Sequence, residues 1–288
     1  MTTAAGADPW AIPPLFSRLV DDTSLLQPRA TAPGVDTIVA RYLAARDGRR
    51  GELVGQLVCP VSRLPVLVAE LAKASVSRPV DLSLVVDTGL GAVPKALSTV
   101  VSRAGLVVAR TIETAAPPDV DAIWLDRVSE FVPEDVVPVV EPRRPLGTDE
   151  AANDSWLDAV RRVAEHGCAP KLRCGGPRPS DVPSTTDVQN FLRVAVRAGR
   201  GFTTLGLAQV VRSGTGHGIL NLLVAVARAL SGGDVRGALD STDADALAAE
   251  ALALSPKAVT DVRGLLSRCG SEPGPLPAEA LAGLGLLA

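Results

Sequence analysis

The chain is predicted to form an α/β fold, a (β/α)8-type barrel with N-terminal lead-in helices, incomplete or irregular at its eighth unit. Short β-branched runs alternate with helical stretches seven times, the pattern of a parallel sheet covered by helices. The length of 288 residues suits one barrel as well as two small domains. Charged residues fall where the apolar runs end, and a parallel barrel opens its site on that face.

The first run, 53–59, leads into a helical pattern over 65–74, and the second, 82–86, into one over 93–103. A third run at 106–112 and a fourth at 122–125 are separated by Pro117-Pro-Asp119, a turn too short for a full helix. The fifth run, 136–140, precedes a helix over 154–165 that Asn153 or Asp154 can cap and Gly167 ends. The sixth, 169–173, is followed by a helix opened by Ser184 or Thr185 and reaching Arg197. The seventh, 202–207, extends as far as 211 in its longer reading, and Ser213-Gly-Thr-Gly-His-Gly218 then leads into an apolar helix over 219–230. The eighth strand has two candidates, 235–239 and 266–269, with helices at 243–254 and 256–266.

Residues 1–46 read as a lead-in packed on the barrel, helical over 35–45, in which Asp21-Asp22 is either a helix start or a loop that reaches a site. Residues 47–271 form the barrel domain and 272–288 a Pro/Gly-rich tail. The alternative is an open doubly wound sheet, because Asp87-Thr-Gly89-Leu-Gly91 follows a strand and opens a helix, with Glu113 some way on. Against it, Pro94 stands where the third glycine of a dinucleotide fingerprint belongs.

Apolar residues make up 47% of the chain and charged ones 21%, enough to form a full core. The 29 basic and 32 acidic residues give −3, which leaves no global positive field for nucleic acid or an anionic membrane. The start of the chain lacks a signal-like pattern and no apolar run is long enough to span a bilayer, while Cys59, Cys168, Cys174 and Cys269 are scattered. A cytoplasmic protein with reduced thiols is expected.

The run ends carry Cys59, Asp87, Glu113, Asp126, Glu141 and Lys171 with Arg173; Thr203 and Thr204 lie inside the seventh run. Polar groups inside apolar runs are costly unless paired, so Glu113, Glu141 and Lys171 need a reason to be there. A salt bridge closing the barrel end is one reason and a site is the other. As a site residue, Lys171 is a candidate Schiff-base nucleophile or a fixed cation for an enolate or phosphate, with Asp87, Glu113 and Glu141 as carboxylates that converge on the same mouth. Gly175 and Gly176 would let a ligand approach the backbone closely. The loop from Arg212 through Gly214, Gly216 and His217 into the next helix has the place of an anion cradle, with the plainer role of a glycine turn capped by His217 as its rival. Magnesium on Asp87, Glu113 and Glu141 is a further reading, whereas the spacing of His166, Cys168 and Cys174 argues against zinc. No Gly-x-Ser-x-Gly supports a serine triad.

Four blocks, Leu19-Val-Asp-Asp22, Leu53-Val-Gly-Gln-Leu-Val-Cys-Pro60, Pro170-Lys-Leu-Arg-Cys-Gly-Gly176 and His217-Gly-Ile-Leu-Asn221, carry a resemblance over most of the chain. In them the sequence resembles a family of uncharacterised bacterial proteins, common in actinomycetes, that are themselves expected to be barrel-like. The resemblance implies the fold and the placement of the site, including Asn221 as a binding residue, and supplies no reaction. The chain reads as a divergent member. Where the family has a block close to Phe-Lys-Ala-Thr-Ala-Gly-Leu-His-His, this sequence has Phe202-Thr-Thr-Leu-Gly-Leu-Ala-Gln209, without the second lysine and both histidines. Its aspartate pair is followed by Thr23-Ser-Leu-Leu-Gln-Pro28 in place of an aromatic and Pro-Pro-Gly.

The two-lysine form is similar at fold level to class I deoxyribose-phosphate aldolases. The expected function is a barrel of enzyme ancestry that binds a small anionic or phosphorylated metabolite at its C-terminal mouth, with lyase or aldolase-type chemistry. The alternative is a catalytically degenerate barrel serving as a binding or scaffold protein with a protein partner.

Overall fold

The computed structural model describes residues 12–28, 30–145, 149–271 and 277–287. Eight parallel strands close into a barrel: β1 (Val20–Asp22), β2 (Val54–Pro60), β3 (Val80–Val85), β4 (Val107–Ala115), β5 (Val137–Glu141), β6 (Ala169–Arg173), β7 (Phe202–Leu205) and β8 (Leu266–Ser271). Each bonds to the next, and β8 returns to β1 with Val20 opposite Cys269 and Asp22 opposite Ser271. A closed sheet in sequential order leaves no switch point, so the doubly wound alternative is not the fold. The Asp87-to-Gly91 segment is a tight turn in which Gly89 takes φ +90°.

The helices are α1 (Val35–Arg46), α2 (Leu64–Lys73), α3 (Val93–Ser102), α4 (Ala122–Phe131), α5 (Glu150–Glu165) and α6 (Thr185–Ala198). They are followed by α7 (Ile219–Ser231), α8 (Val235–Asp240), α9 (Ala244–Leu252), α10 (Pro256–Leu265) and α11 (Ala278–Gly283). One helix crosses between each pair of successive strands up to β7, and four lie between β7 and β8. No helix among the described residues is long and apolar enough to cross a membrane.

Two expectations about the strands are corrected, and the corrections cancel. The segment expected to lead in ahead of the barrel supplies β1, so the division at residue 46 does not hold: Asp21 and Asp22 lie in a strand hydrogen-bonded on both sides. Residues 122–125, expected as a strand, open α4 instead. Asp121 caps them by accepting from the Trp124 N–H at 2.7 Å, and burial of Leu125 and Val128 beside exposed Ile123 follows the helical period. With one strand gained and one lost, the sixth and seventh strands keep their places. Of the two candidates for the eighth, 266–269 is strand, while 235–239 is helix, started by the Asp234 carboxylate on the Gly237 N–H at 2.9 Å. The expected lead-in and tail fall partly on residues 1–11, 272–276 and 288, outside the described residues.

The apolar core lies between strands and helices. Outward-facing Leu172 and Phe202 join Val160, Val188, Phe191 and Leu192 of the covering helices in one cluster, and Leu57, Leu82 and Leu84 join Leu67, Leu71 and Ala96 in another. Phe191 on α6 is fully buried and stacks on Trp156 of α5 at a ring distance of 6.1 Å and edge-on to Phe202 of β7 at 5.2 Å. Replacing Phe191 with Ala leaves a cavity that these two rings cannot fill. We expect a loss of about 3–5 kcal/mol in denaturant unfolding together with a red shift of Trp fluorescence; an unchanged unfolding midpoint would contradict this packing.

Candidate functional site

A chain of polar side chains crosses the barrel interior beside buried Val58 and Val139, whereas barrels of this kind are usually filled by branched aliphatic residues alone. Arg268 on β8 lies 3.5 Å from the Asp21 carboxylate on β1 and donates at 2.9 Å to the Gln56 amide oxygen on β2. In that orientation the Gln56 nitrogen donates to Thr111 Oγ1 on β4 at 2.8 Å. Thr111 donates to Ser83 Oγ on β3 at 2.6 Å, and Ser83 donates to Glu113 Oε1 at 2.6 Å. The other Glu113 oxygen accepts from Lys171 Nζ on β6. Every donor between Arg268 and Glu113 points toward the carboxylate, so a guanidinium at one end and an ammonium at the other hold Glu113 in one orientation.

Asp21 sits at the start of this network and is fully buried. Gly55 makes room for it, since a Cβ there would lie 2.2 Å from Asp21 Oδ1, and the Gln56 N–H donates to the same oxygen at 2.6 Å. Burial raises its pKa to about 7, against the attraction of Arg268.

Above the network the C-terminal ends of the strands open into a cleft of about 770 Å3. Of the residues expected at the site, Glu113, Glu141, Lys171, Arg173, Gly175, Gly176, Gly216 and His217 line it. Lys171 and Glu113 are nearly buried at its floor. Arg173 forms a fork with Glu141, Nε to Oε1 at 2.6 Å and Nη2 to Oε2 at 2.9 Å. Both cations at the cleft floor therefore meet a carboxylate of the protein.

Asp87, Arg212, Gly214 and Asn221 are placed elsewhere. Asp87 is exposed and accepts from the Ser62 N–H at 3.0 Å, which fastens the loop after β2. The magnesium set is therefore not assembled: Asp87 stands apart, and Lys171 and Arg173 occupy Glu113 and Glu141. Among the described residues no group of three or more His, Cys, Asp or Glu side chains is arranged to hold a metal. Asp126 lies on α4, where it pairs with His166 at 2.8 Å, and Cys168 and Cys174 are free thiols buried in the protein. Cys174 lines the cleft, but burial raises its pKa, so it is a thiol and not a thiolate at neutral pH.

In the loop before α7, expected as an anion cradle, three of the backbone donors are already taken. The N–H groups of Ile219 and Leu220, which would face an anion, donate to the Gln209 and Val210 carbonyls at 3.0 and 2.8 Å, and the Gly216 N–H donates to Ser213. Asn221 is fully buried and accepts from the Arg212 N–H at 2.7 Å while donating to the Ala238 and Ser241 carbonyls, both at 2.8 Å. Arg212 lies 3.7 Å from Asp240, and Gly214 has open space where a Cβ would stand. His217 is held by Nε2 on the Pro183 carbonyl at 2.8 Å, and burial lowers its pKa, which makes it a neutral wall residue. The glycine pair is also explained within the chain: a Cβ on Gly175 would lie 2.3 Å from the Gly206 carbonyl oxygen, and one on Gly176 2.5 Å from Asp181 Oδ2.

The sequence reading overlooked Gln56, Ser83, Thr111 and Arg268. Gln56 and Ser83 are single polar residues inside apolar runs and Thr111 follows Arg110 in a third, each spaced to point into the barrel, and that was the available signal. No protein-family model, curated protein or solved structure matches the chain.

The Asp21 environment fixes a pH dependence. Its folded pKa of about 7 lies above the ordinary 3.8, so the stability gained from holding the proton is complete below the ordinary value and is lost as pH rises through about 7. In urea unfolding, wild type should lose ground to Asp21→Asn between about pH 4 and about pH 7, by on the order of a few kcal/mol at most. A gap that is constant with pH, or that moves the other way, would show Asp21 to be ionised throughout.

Proposed function

We propose that the protein is a barrel of enzyme ancestry that binds a small anionic metabolite at its C-terminal mouth and that Lys171 is its reactive group. The observation that carries this reading is the Lys171–Glu113 pair, desolvated yet placed at the floor of an open cleft. A buried ion pair contributes little stability compared with apolar side chains of the same size, so its position at a cavity floor points to chemistry.

In the lyase form of this reading, Glu113 takes a proton from Lys171, and the free amine adds to a substrate carbonyl. Loss of water then gives a protonated Schiff base. A carboxylate accepts the proton of the substrate β-hydroxyl while the carbon–carbon bond breaks, its electron pair moving toward the iminium to leave an enamine and a free aldehyde. Glu113 and Glu141 are the carboxylates on the cleft wall that can do this.

A second reading, a catalytically degenerate barrel that binds a protein partner, is favoured by one specific observation. Thr203 stands beside Lys171 in register, between it and Arg268, and its buried hydroxyl has no hydrogen-bond partner among the described residues. A second cation there would ease deprotonation of Lys171, and a threonine does not supply one.

Borohydride reduction in the presence of phosphorylated aldehydes and hydroxyketones separates the two readings. The first expects a substrate-sized mass increase on the peptide containing Lys171, abolished in Lys171→Arg. Thermal stabilisation by the same compounds, about 2.7 kcal/mol at a hundredfold excess over Kd, without any trapping would reject the lysine chemistry. Neither stabilisation nor trapping would favour the scaffold.

A further inference from the structure

Beside the main cleft, above the ends of β5 and β6, lies a second hollow of about 460 Å3 that shares Glu141, Lys171 and Arg173 with it. Five cationic side chains, Arg143, Arg144, Lys171, Arg173 and Arg178, line this hollow against two carboxylates, Glu141 and Asp181. Their hydrogen bonds differ. Arg144 is spent on the loop that follows β6: Nη1 donates to Asp187 at 3.2 Å and Nη2 to the Ser180 and Val182 carbonyls. Lys171 is spent on Glu113, and Arg173 uses Nε and Nη2 on Glu141. Arg178 is largely exposed and gives Nη2 to Asp181 at 3.1 Å. Arg143 is exposed and makes no hydrogen bond or ion pair among the described residues.

We propose that this hollow is a subsite for a phosphate monoester, with Arg143 and Arg178 as its binding groups and Arg144 as the residue that positions the loop around them. The proposal rests on the reading of the mouth as a ligand site and names the class of ligand. Guanidinium forks bind phosphate oxygens through paired N–H donors. A dianion satisfies one unpaired arginine and the open donors of a second, which a single carboxylate does only in part. Ser180 lies on the same wall and holds Arg144 through its carbonyl. The subsite adjoins Lys171, so a phosphate held there would keep the rest of a short metabolite over the amine. It also offers the anion side-chain donors, whereas at the loop before α7 the Gly216, Ile219 and Leu220 N–H groups are already used.

The test is calorimetric titration of the full chain with inorganic phosphate and with glycerol phosphate as a minimal monoester, with acetate and malonate as carboxylate controls. Arg143→Ala removes an exposed side chain, and Arg178→Ala removes one that also pairs with the nearly buried Asp181, so far-ultraviolet circular dichroism and thermal unfolding check the fold of each variant. Each should weaken phosphate and glycerol phosphate binding roughly tenfold, the size of one charge-assisted hydrogen bond, and the double variant more. Added salt should weaken the wild type more than the variants. No phosphate binding by the wild type, equal binding by the double variant, or equal affinity for malonate would each overturn the subsite. Borohydride trapping reports on Lys171 and these titrations on the arginines, so failure of either leaves the other result readable.

Discussion

The ion pair between Lys171 and Glu113 is the constraint around which the interior is arranged. An ammonium and a carboxylate withdrawn from water need further hydrogen bonds for the remaining protons of the one and lone pairs of the other. Here Ser83 donates to the Glu113 carboxylate and is itself held by Thr111, Gln56 and Arg268 in sequence, from strands on several sides of the barrel. Each of these residues occupies a place where a barrel commonly carries Val, Ile or Leu. Inside the strands apolar side chains such as Val58 and Val139 share the space with this network, and the large hydrophobic clusters lie in the layer between strands and helices, where the Trp156, Phe191 and Phe202 rings meet.

The same accounting governs the mouth. The floor of the main cleft is electrically balanced, since Lys171 and Arg173 each hold a glutamate. A ligand entering there must either take a proton-transfer role with these pairs or compete with them. The adjoining hollow differs because Arg143 has no counterion among the described residues. Field and geometry thus divide the work between two neighbouring spaces, one suited to proton movement and the other to holding charge.

Much of the architecture was legible because helical and strand periods are written in spacing that survives without tertiary context. The runs at 53–59, 82–86, 106–112, 136–140, 169–173 and 202–207 all correspond to strands. The misreadings share a cause. Residues 20–22 are too short to show alternation, and 122–125 carry β-like residues whose fate is decided by the Asp121 cap in front of them. At the site, Glu113, Glu141, Lys171 and Arg173 could be found because charge at the end of an apolar run is costly. The glycines and Asn221 could not be assigned, because a small residue or an amide looks the same whether it faces a ligand or another stretch of backbone. Gly175 packs against Gly206, and Asn221 ties the loop before α7 to α8 and the segment beyond it. That distinction exists only in three dimensions.

The brevity of β1 has a consequence for how the barrel is made. Three residues join β2 on one side and β8 on the other, and Thr23 Oγ1 reaches the Ser271 carbonyl across 248 positions of sequence. Closing a loop of that size costs about 5 kcal/mol of chain entropy, and only a short seam is there to repay it. During synthesis, strands β2 to β7 can pair with neighbours already made, whereas the seam must wait for residue 271 to emerge. Until then the outer edges of β1 and β7 remain open, and Asp21 and Arg268 stay apart. Closure of β8 on β1 is thus also the step that encloses the Asp21 carboxylate beside Arg268.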